Sequence, residues 1–137
     1  MSGIDGTLTP IKLAATAGDV VADIVVPDNT TYEMMWGQVV LTTDATVADR
    51  RVVLEVLDKD SDVIFDIHAG AVVTANKADQ HHEHMKGVYR ETAFIGDSLQ
   101  VPIGHDMSLP PGFTLRMRIE NGQAGDSYYS RGMVLAR

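Results

Sequence analysis

Hydrophobic and polar residues alternate with a period of two along most of this chain. The clearest run covers 113–120, where the odd positions are Phe, Leu, Met and Ile and the even positions are Thr, Arg, Arg and Glu. Such alternation is typical of an antiparallel strand with one buried face. The same period, broken by turn residues, predicts strands at 20–26, 32–43, 51–57, 63–68, 87–94, 99–103, 113–120 and 128–136.

Turn signals separate the predicted strands. The turn at 27–29 ends the first of them, and an acidic turn joins 51–57 to 63–68 as a hairpin. Gly37 predicts a bend or a bulge within the second strand. Seven or eight short strands of this kind predict an all-β fold, an antiparallel β-sandwich with jelly-roll-like connections.

Two segments depart from this pattern. Residues 1–19 are small and weakly patterned, with Pro10 interrupting them, and they predict either a frayed terminus or an extended N-terminal arm that orders on a partner. The sandwich domain then covers 20–137. Segment 76–86 has low β-propensity and predicts a short helix or a long loop.

Length, composition and charge narrow the class of protein. The 137 residues suffice for one domain with one hydrophobic core. The chain has no cysteine, which excludes disulfides, cysteine-bound zinc and thiol catalysis, and its formal net charge of −8 argues against a nucleic-acid partner. We find neither a signal peptide nor an apolar run near the roughly 20 residues that span a bilayer. We therefore expect a protein made and folded in a reducing cytoplasm, with no membrane partner.

Two short motifs are similar to parts of functional sites but lack their partner residues. Segment 96–99 reads Gly-Asp-Ser-Leu, the motif that names the GDSL hydrolases, but the Asp-x-x-His pattern that would activate the Ser does not follow. Segment 58–62 begins like a calcium loop, but the Gly and Glu that complete an EF-hand are missing. We therefore expect no catalytic residue and a protein that is not an enzyme.

Three histidines within four residues make the strongest case for a metal site. His82 and His84, at spacing two, would share one face of a strand, which is a common way to begin such a site. The arrangement is partly similar to the metal motifs of cupin jelly rolls, with Glu91 and His105 as further candidate ligands. Glu91 is seven residues past His84 and His105 directly follows Gly104, so both depart from the cupin spacing. We expect an exposed polar loop without metal or cofactor, with a cupin-like metal-binding enzyme as the alternative.

Clustered Met, Trp and Tyr residues suggest a protein interface. Neighbours on a strand point to opposite faces, so the residues within 34–36 and within 128–129 cannot all face one core. A bulge, or burial on both faces within a sandwich, would also explain these clusters, but Tyr, Trp and Met are enriched at interfaces. The candidate interface residues are Met34, Met35, Trp36, Tyr128 and Tyr129, with Ile4, Leu8 and Ile11 of the arm.

Three stretches together are similar to a known class of virion proteins. Residues 39–51 run from one strand through a polar turn into the next, 109–116 enter the clearest strand, and 123–126 end the turn after it. In this order they resemble small β-sandwich structural proteins of tailed bacteriophages, including capsid decoration (cement) proteins. The resemblance extends over residues 20–137 by element order.

The resemblance implies a non-enzymatic protein on the outer surface of an assembled phage head. It implies the major capsid protein as the partner, a homo-oligomer that is often a trimer, and synthesis in the host cytoplasm. It carries no catalytic residue to this chain. A phage tail or neck adaptor, or a fibre-associated protein, is the alternative within the same structural class.

Overall fold

Ten β-strands and no helix are formed by residues 6–137, the part of the chain that the computed structural model describes. An all-β fold is therefore confirmed, with ten strands in place of the seven or eight predicted. The strands are β1 (Thr7–Ala17), β2 (Ala22–Val25), β3 (Tyr32–Thr42), β4 (Arg51–Leu57), β5 (Val63–His68), β6 (Gln80–Met85), β7 (Ser98–Pro102), β8 (Ser108–Leu109), β9 (Thr114–Glu120) and β10 (Ser127–Ala136).

The strands are arranged in two sheets that pack face to face. The large sheet has the order β1-β10-β3-β6-β7, and the short β8 pairs with the start of β3. The small sheet has the order β2-β9-β4-β5. The strand pairs are antiparallel except for β6 and β7, which run parallel. The predicted β-sandwich is thus confirmed, while its jelly-roll connectivity stays a prediction.

The core lies between the sheets and takes alternate side chains from their strands. In β9, Leu115, Met117 and Ile119 are buried, whereas Arg116 and Arg118 point outward, as the sequence predicts. From the large sheet the core receives, among others, Met34, Val39, Leu41, Tyr128 and Val134.

Most of the segment predicted as an N-terminal arm is an edge strand. β1 pairs with β10 from Thr7, opposite Ala136, to Ala17, opposite Ser127. An edge strand tolerates Pro10 because half of its backbone groups have no partner strand. Small residues and this proline weaken the alternation, which is why the sequence pattern misses the strand.

Segment 76–86, predicted as a helix or loop, contains strand β6. This strand lies between β3 and β7, with His82 paired to Val39 on one side and to Leu99 on the other. Pairing on both sides overrides the low β-propensity of its residues. Residues 87–94, predicted as a strand, form none, because Gly87 turns the chain at a φ of 71° as β6 ends.

A bulge in β3 sets which of its side chains face outward. The bulge is at Met35 and not at Gly37, because Trp36 pairs with Met133 whereas Met34 pairs with Val134. Residues two apart on a regular strand share a face, and the extra residue breaks this rule here. Met34 therefore lies in the core while Trp36 lies on the surface.

A buried ion cluster joins the two sheets at one end of the sandwich. Arg50, just before β4, is fully buried and donates from Nε to Oδ2 of Asp126, just before β10, at 2.9 Å. Its Nη2 donates to Asp126 Oδ1 at 3.0 Å and to Asp44 Oδ1 at 2.8 Å. Burial alone would raise the pKa of Asp126, but hydrogen bonds from Arg50 and from the backbone of Asp44 and Gln123 outweigh it and lower that pKa. Asp126 therefore stays ionised and paired.

Candidate protein-docking surface

Five apolar side chains form one continuous row across the outer face of the large sheet. Cross-strand partners lie on the same face of a sheet, so the strand register places them side by side. Trp36, in the middle, is 47% exposed, and Met85 beside it is 40% exposed. In the order of the strands, this apolar row consists of Pro10, Met133, Trp36, Met85 and Pro102.

A polar row runs beside the apolar row, and on each strand its residue lies two positions from the apolar one. Its members are Lys12, Arg131, Gln38, Glu83 and Gln100. The three central side chains form a chain of hydrogen bonds: Arg131 Nε donates to Gln38 Oε1 at 3.2 Å, and Gln38 Nε2 donates to Glu83 Oε1 at 2.7 Å. The polar row therefore carries its positive charges on one side of β3 and its negative charge on the other.

A groove of about 430 Å³ lies between the two rows. Trp36 and Met85 line it from the apolar row, and Arg131 and Glu83 line it from the polar row. The backbones of β3 and β10 come close together here, since a Cβ on Gly132 would lie only 2.6 Å from the carbonyl oxygen of Trp36. An exposed apolar strip with charged groups at its rim is the usual composition of a protein-binding surface. We call the two rows and the groove the docking surface.

The structure separates the predicted interface residues into surface and core. Trp36 and Leu8 are exposed on the outer face of the large sheet, and Leu8 lies beside Leu135 at its edge. Tyr129 is half-buried, with the Arg131 guanidinium 5.0 Å from its ring centroid. Met35 is half-buried in the bulge.

Three of these candidates lie in the core or pack against it, and a fourth cannot be placed. Met34 and Tyr128 are core residues, because the bulge turns Met34 inward and Tyr128 falls at a buried position of β10. The Tyr128 hydroxyl donates to the Val20 carbonyl at 2.6 Å, and burial raises the pKa of Tyr128 to about 12. Ile11 packs against the core from the inner side of β1. Ile4 lies outside the described residues.

His82 and His84 lie on the inward face of β6 and not in an exposed loop. The predicted sharing of one strand face is confirmed, and both imidazoles are buried. His82 Nδ1 is 3.3 Å from the Val39 carbonyl oxygen and 3.2 Å from that of Gln80, and its ring meets Phe94 edge to face. Desolvation lowers the pKa of His82 to about 4 and that of His84 to about 3, so both are neutral near pH 7.

The four candidate metal ligands are not brought together. Glu91 Oε1 accepts a hydrogen bond from the backbone N–H of Gln100 at 2.6 Å, and His105 is exposed in the turn before β8. Within residues 6–137, no group of three His, Cys, Asp or Glu side chains is placed to hold a metal ion. The imidazole Nε2 atoms of His82 and His84 have no hydrogen-bond partner in this part of the chain. Both imidazoles are therefore buried between the sheets, each with one ring nitrogen that the described residues leave without a hydrogen bond.

The docking surface was not predicted as a unit from the sequence. Trp36 was singled out, but Met85 and Met133 were not, because the register that aligns them joins positions far apart along the chain.

The described residues include no helix long and apolar enough to cross a membrane. No protein-family model, curated protein or solved structure matches the chain.

Proposed function

We propose that this chain is a non-enzymatic structural protein of a tailed-phage virion, a capsid decoration protein that binds and stabilises the assembled head. The sequence resemblance suggests this class, and the docking surface is the observation that carries the proposal. A sheet face that aligns the exposed Trp36 and Met85 with the partly buried Met133 supplies apolar contact area for another protein. The polar row beside it supplies the hydrogen bonds and charges that orient such a contact.

Binding to a repeating lattice suits a small chain of this kind. A protein that binds only the assembled head stabilises that head by mass action, because its binding free energy is lost when the lattice comes apart. Many copies on one shell make a modest affinity per copy sufficient. The partner is then the major capsid protein, reached at the outer surface of the virion.

Cryo-electron microscopy of virions that carry this chain tests the proposal. We expect density for the two-sheet sandwich at repeated positions on the outer surface of the head. Density at the neck, tail or fibres would replace head decoration with the alternative of an adaptor or fibre-associated protein. Virions without any such density would overturn the assignment to a virion structural protein.

A binding measurement complements the imaging. Purified chain is added to heads that lack it, and the bound fraction is measured after sedimentation. We expect saturable binding with a fixed number of copies per head, together with a higher temperature of head disruption. Saturable binding that leaves head stability unchanged would contradict the stabilising role.

A further inference from the structure

The apolar row of the docking surface has the same composition read from either side. Trp36 on β3 stands at its centre, a Met follows on each side, and a Pro ends the row on each side. A two-fold axis parallel to β3 exchanges the two sides of this face. Two copies packed face to face about such an axis would place Trp36 on Trp36, and Met133 of each copy on Met85 of the other.

The polar row is complementary to itself under the same operation. Arg131 lies one strand to one side of β3, and Glu83 lies one strand to the other side. The two-fold axis therefore brings Arg131 of each copy opposite Glu83 of the other, and Lys12 opposite Gln100. Gln38, in the centre, meets its own equivalent, and an amide both donates and accepts hydrogen bonds.

We propose that the docking surface binds a second copy of this chain, face to face about a two-fold axis parallel to β3. This inference rests on the proposed function, because both take the docking surface as the site of protein contact. It names a second copy of the chain as the protein that binds there. Symmetric dimers use one self-complementary patch on both copies, and sheets packed face to face lie about 10 Å apart with their strands nearly aligned. Both requirements fit an outer sheet face whose apolar row has the same composition in both directions. Dimerisation would cover the docking surface, so a head and a second copy would compete for it.

The size of the surface sets the expected strength of the dimer. Five strands spaced about 4.8 Å apart make the row about 19 Å wide, which gives an interface at the small end of the range for stable protein pairs. We therefore expect a weak dimer that forms at high protein concentration and dissociates on dilution.

Sedimentation equilibrium of the purified full chain, without heads, is the first test. We expect a concentration-dependent mass that approaches twice the 14.9 kDa of the chain. A monomer at every concentration would overturn the proposal, and it would leave a capsid subunit as the occupant of the surface. A trimer, as the sequence resemblance implies, would also overturn it.

A pair of charge reversals tests the two-fold arrangement itself. Arg131→Glu alone and Glu83→Arg alone each place like charges opposite each other twice, so each variant should dimerise at least tenfold more weakly. An equal mixture of the two variants should recover dimerisation, because every cross-interface pair is then of opposite charge. Lys59→Glu, at the exposed turn between β4 and β5, is the control and should dimerise like the original chain. A mixture that stays as monomeric as its components would refute the two-fold pairing.

Head binding, measured separately, tells the two proposals apart. A chain that dimerises in solution but binds no heads would support this inference and defeat the proposed function. A chain that is monomeric in solution but binds heads through the docking surface would defeat this inference and leave the proposed function standing.

Discussion

The outer faces of the two sheets both carry alternate strand residues, but they differ in how these side chains are satisfied. Charged side chains on the small sheet pair within the chain, whereas the apolar row on the large sheet remains exposed. On the small sheet, Arg116 forms two hydrogen bonds to Asp23, at 2.7 and 2.9 Å, and Arg118 pairs with Glu55 at 3.1 Å. Asp23 lies directly opposite Arg116 in the strand register, and Glu55 lies diagonally across from Arg118 on the neighbouring strand, so both arginines find partners within the chain. On the large sheet, Trp36 lies at the middle of the apolar row and remains 47% exposed.

The difference indicates which face is adapted to water and which to a partner. A face whose charges are paired internally gains little from another protein, because binding would cost the desolvation of those pairs. An exposed apolar row gains free energy when a partner removes it from water, roughly 25 cal/mol for each Å² buried. The proposed binding side of the sandwich is therefore the large sheet. The small sheet, which we call the solvent side, also exposes apolar side chains, at Val25, Val63, Ile64 and Phe65.

Removing the ion cluster between the sheets should destabilise the whole sandwich, and both outer faces with it. Arg50→Met leaves Asp126 and Asp44 without their cation in a buried site, and losing one partner of a buried ion pair costs about 3–5 kcal/mol. We expect a loss of this size in the free energy of unfolding, measured by urea denaturation. The matched control is Arg116→Met on the solvent side, which removes a partly exposed pair with Asp23 and should cost no more than about 1 kcal/mol. Equal losses in the two variants would show that the cluster is no more important than a surface pair.

Strand β6 has a buried inward face and an outward face on the surface. Lowering the pH should reduce the free energy of unfolding through the two histidines on the inward face. Folding lowers the pKa of His82 to about 4 and of His84 to about 3, from an ordinary 6.5, so the unfolded chain takes up protons first as the pH falls. Stability is therefore full above pH 6.5 and is lost below it, until the pH reaches the folded pKa values. We expect a loss of up to about 1.4 kcal/mol per pH unit for each histidine.

Substitutions on the two faces of β6 separate this effect from other titrations. His84→Leu should remove about half of the slope between pH 6.5 and pH 4. Met85→Leu on the outward face, which changes no titratable group, should leave the slope unchanged. Carboxylates act at lower pH: the hydrogen bond from Lys86 lowers the pKa of Glu33, so its contribution is lost only below its ordinary 4.5. An unchanged slope in His84→Leu would contradict the burial of a neutral imidazole.

Changing the central residue of the docking surface should weaken association and spare the fold. Trp36→Glu places a charge in the middle of the apolar row, and we expect at least tenfold weaker self-association and head binding. The free energy of unfolding should fall by no more than about 1 kcal/mol, since Trp36 is half-exposed already. Val25→Glu, at a position 60% exposed on the solvent side, is the matched control and should change neither binding nor stability. Equal effects of the two variants on binding would remove the distinction between the faces.

The sequence predicts those parts of this fold that depend on local patterns. Strand β9 alternates without interruption and stands at one of the most buried positions of the small sheet, so pattern and environment agree. β1 and β6 were missed because their pairing, and not their composition, makes them strands. The bulge at Met35 was displaced from its predicted position because it is set by the register against β10, which a single strand does not encode.

The docking surface was less predictable still. A lone Trp such as Trp36 is an obvious interface candidate in a sequence. Its row also includes Pro10 and Pro102, and prolines in a sequence pattern predict the interruption of a strand. The buried cluster joins Arg50 and Asp44, from the connection between β3 and β4, to Asp126, from the connection between β9 and β10. An arginine in an acidic chain is expected at the surface. In both cases the information lies in contacts between distant residues.

The smallest expected effect concerns the two glycines that stand opposite each other beneath the docking surface, Gly37 on β3 and Gly132 on β10. A Cβ on Gly37 would lie 3.8 Å from Met34 Cε, at an ordinary contact distance, and would enter an interior cavity of about 20 Å³. Gly37→Ala should therefore stabilise the fold by about 0.5–1 kcal/mol, because alanine also has less freedom to lose on folding. A Cβ on Gly132 would meet the Trp36 carbonyl oxygen at 2.6 Å, so Gly132→Ala should destabilise the fold by about 1 kcal/mol or more and move Trp36. Thermal unfolding and sedimentation equilibrium of the two variants test whether self-association depends on the position of Trp36. Only Gly132→Ala should weaken self-association. Equal self-association of the two variants would mean that the apolar row tolerates displacement of its central residue.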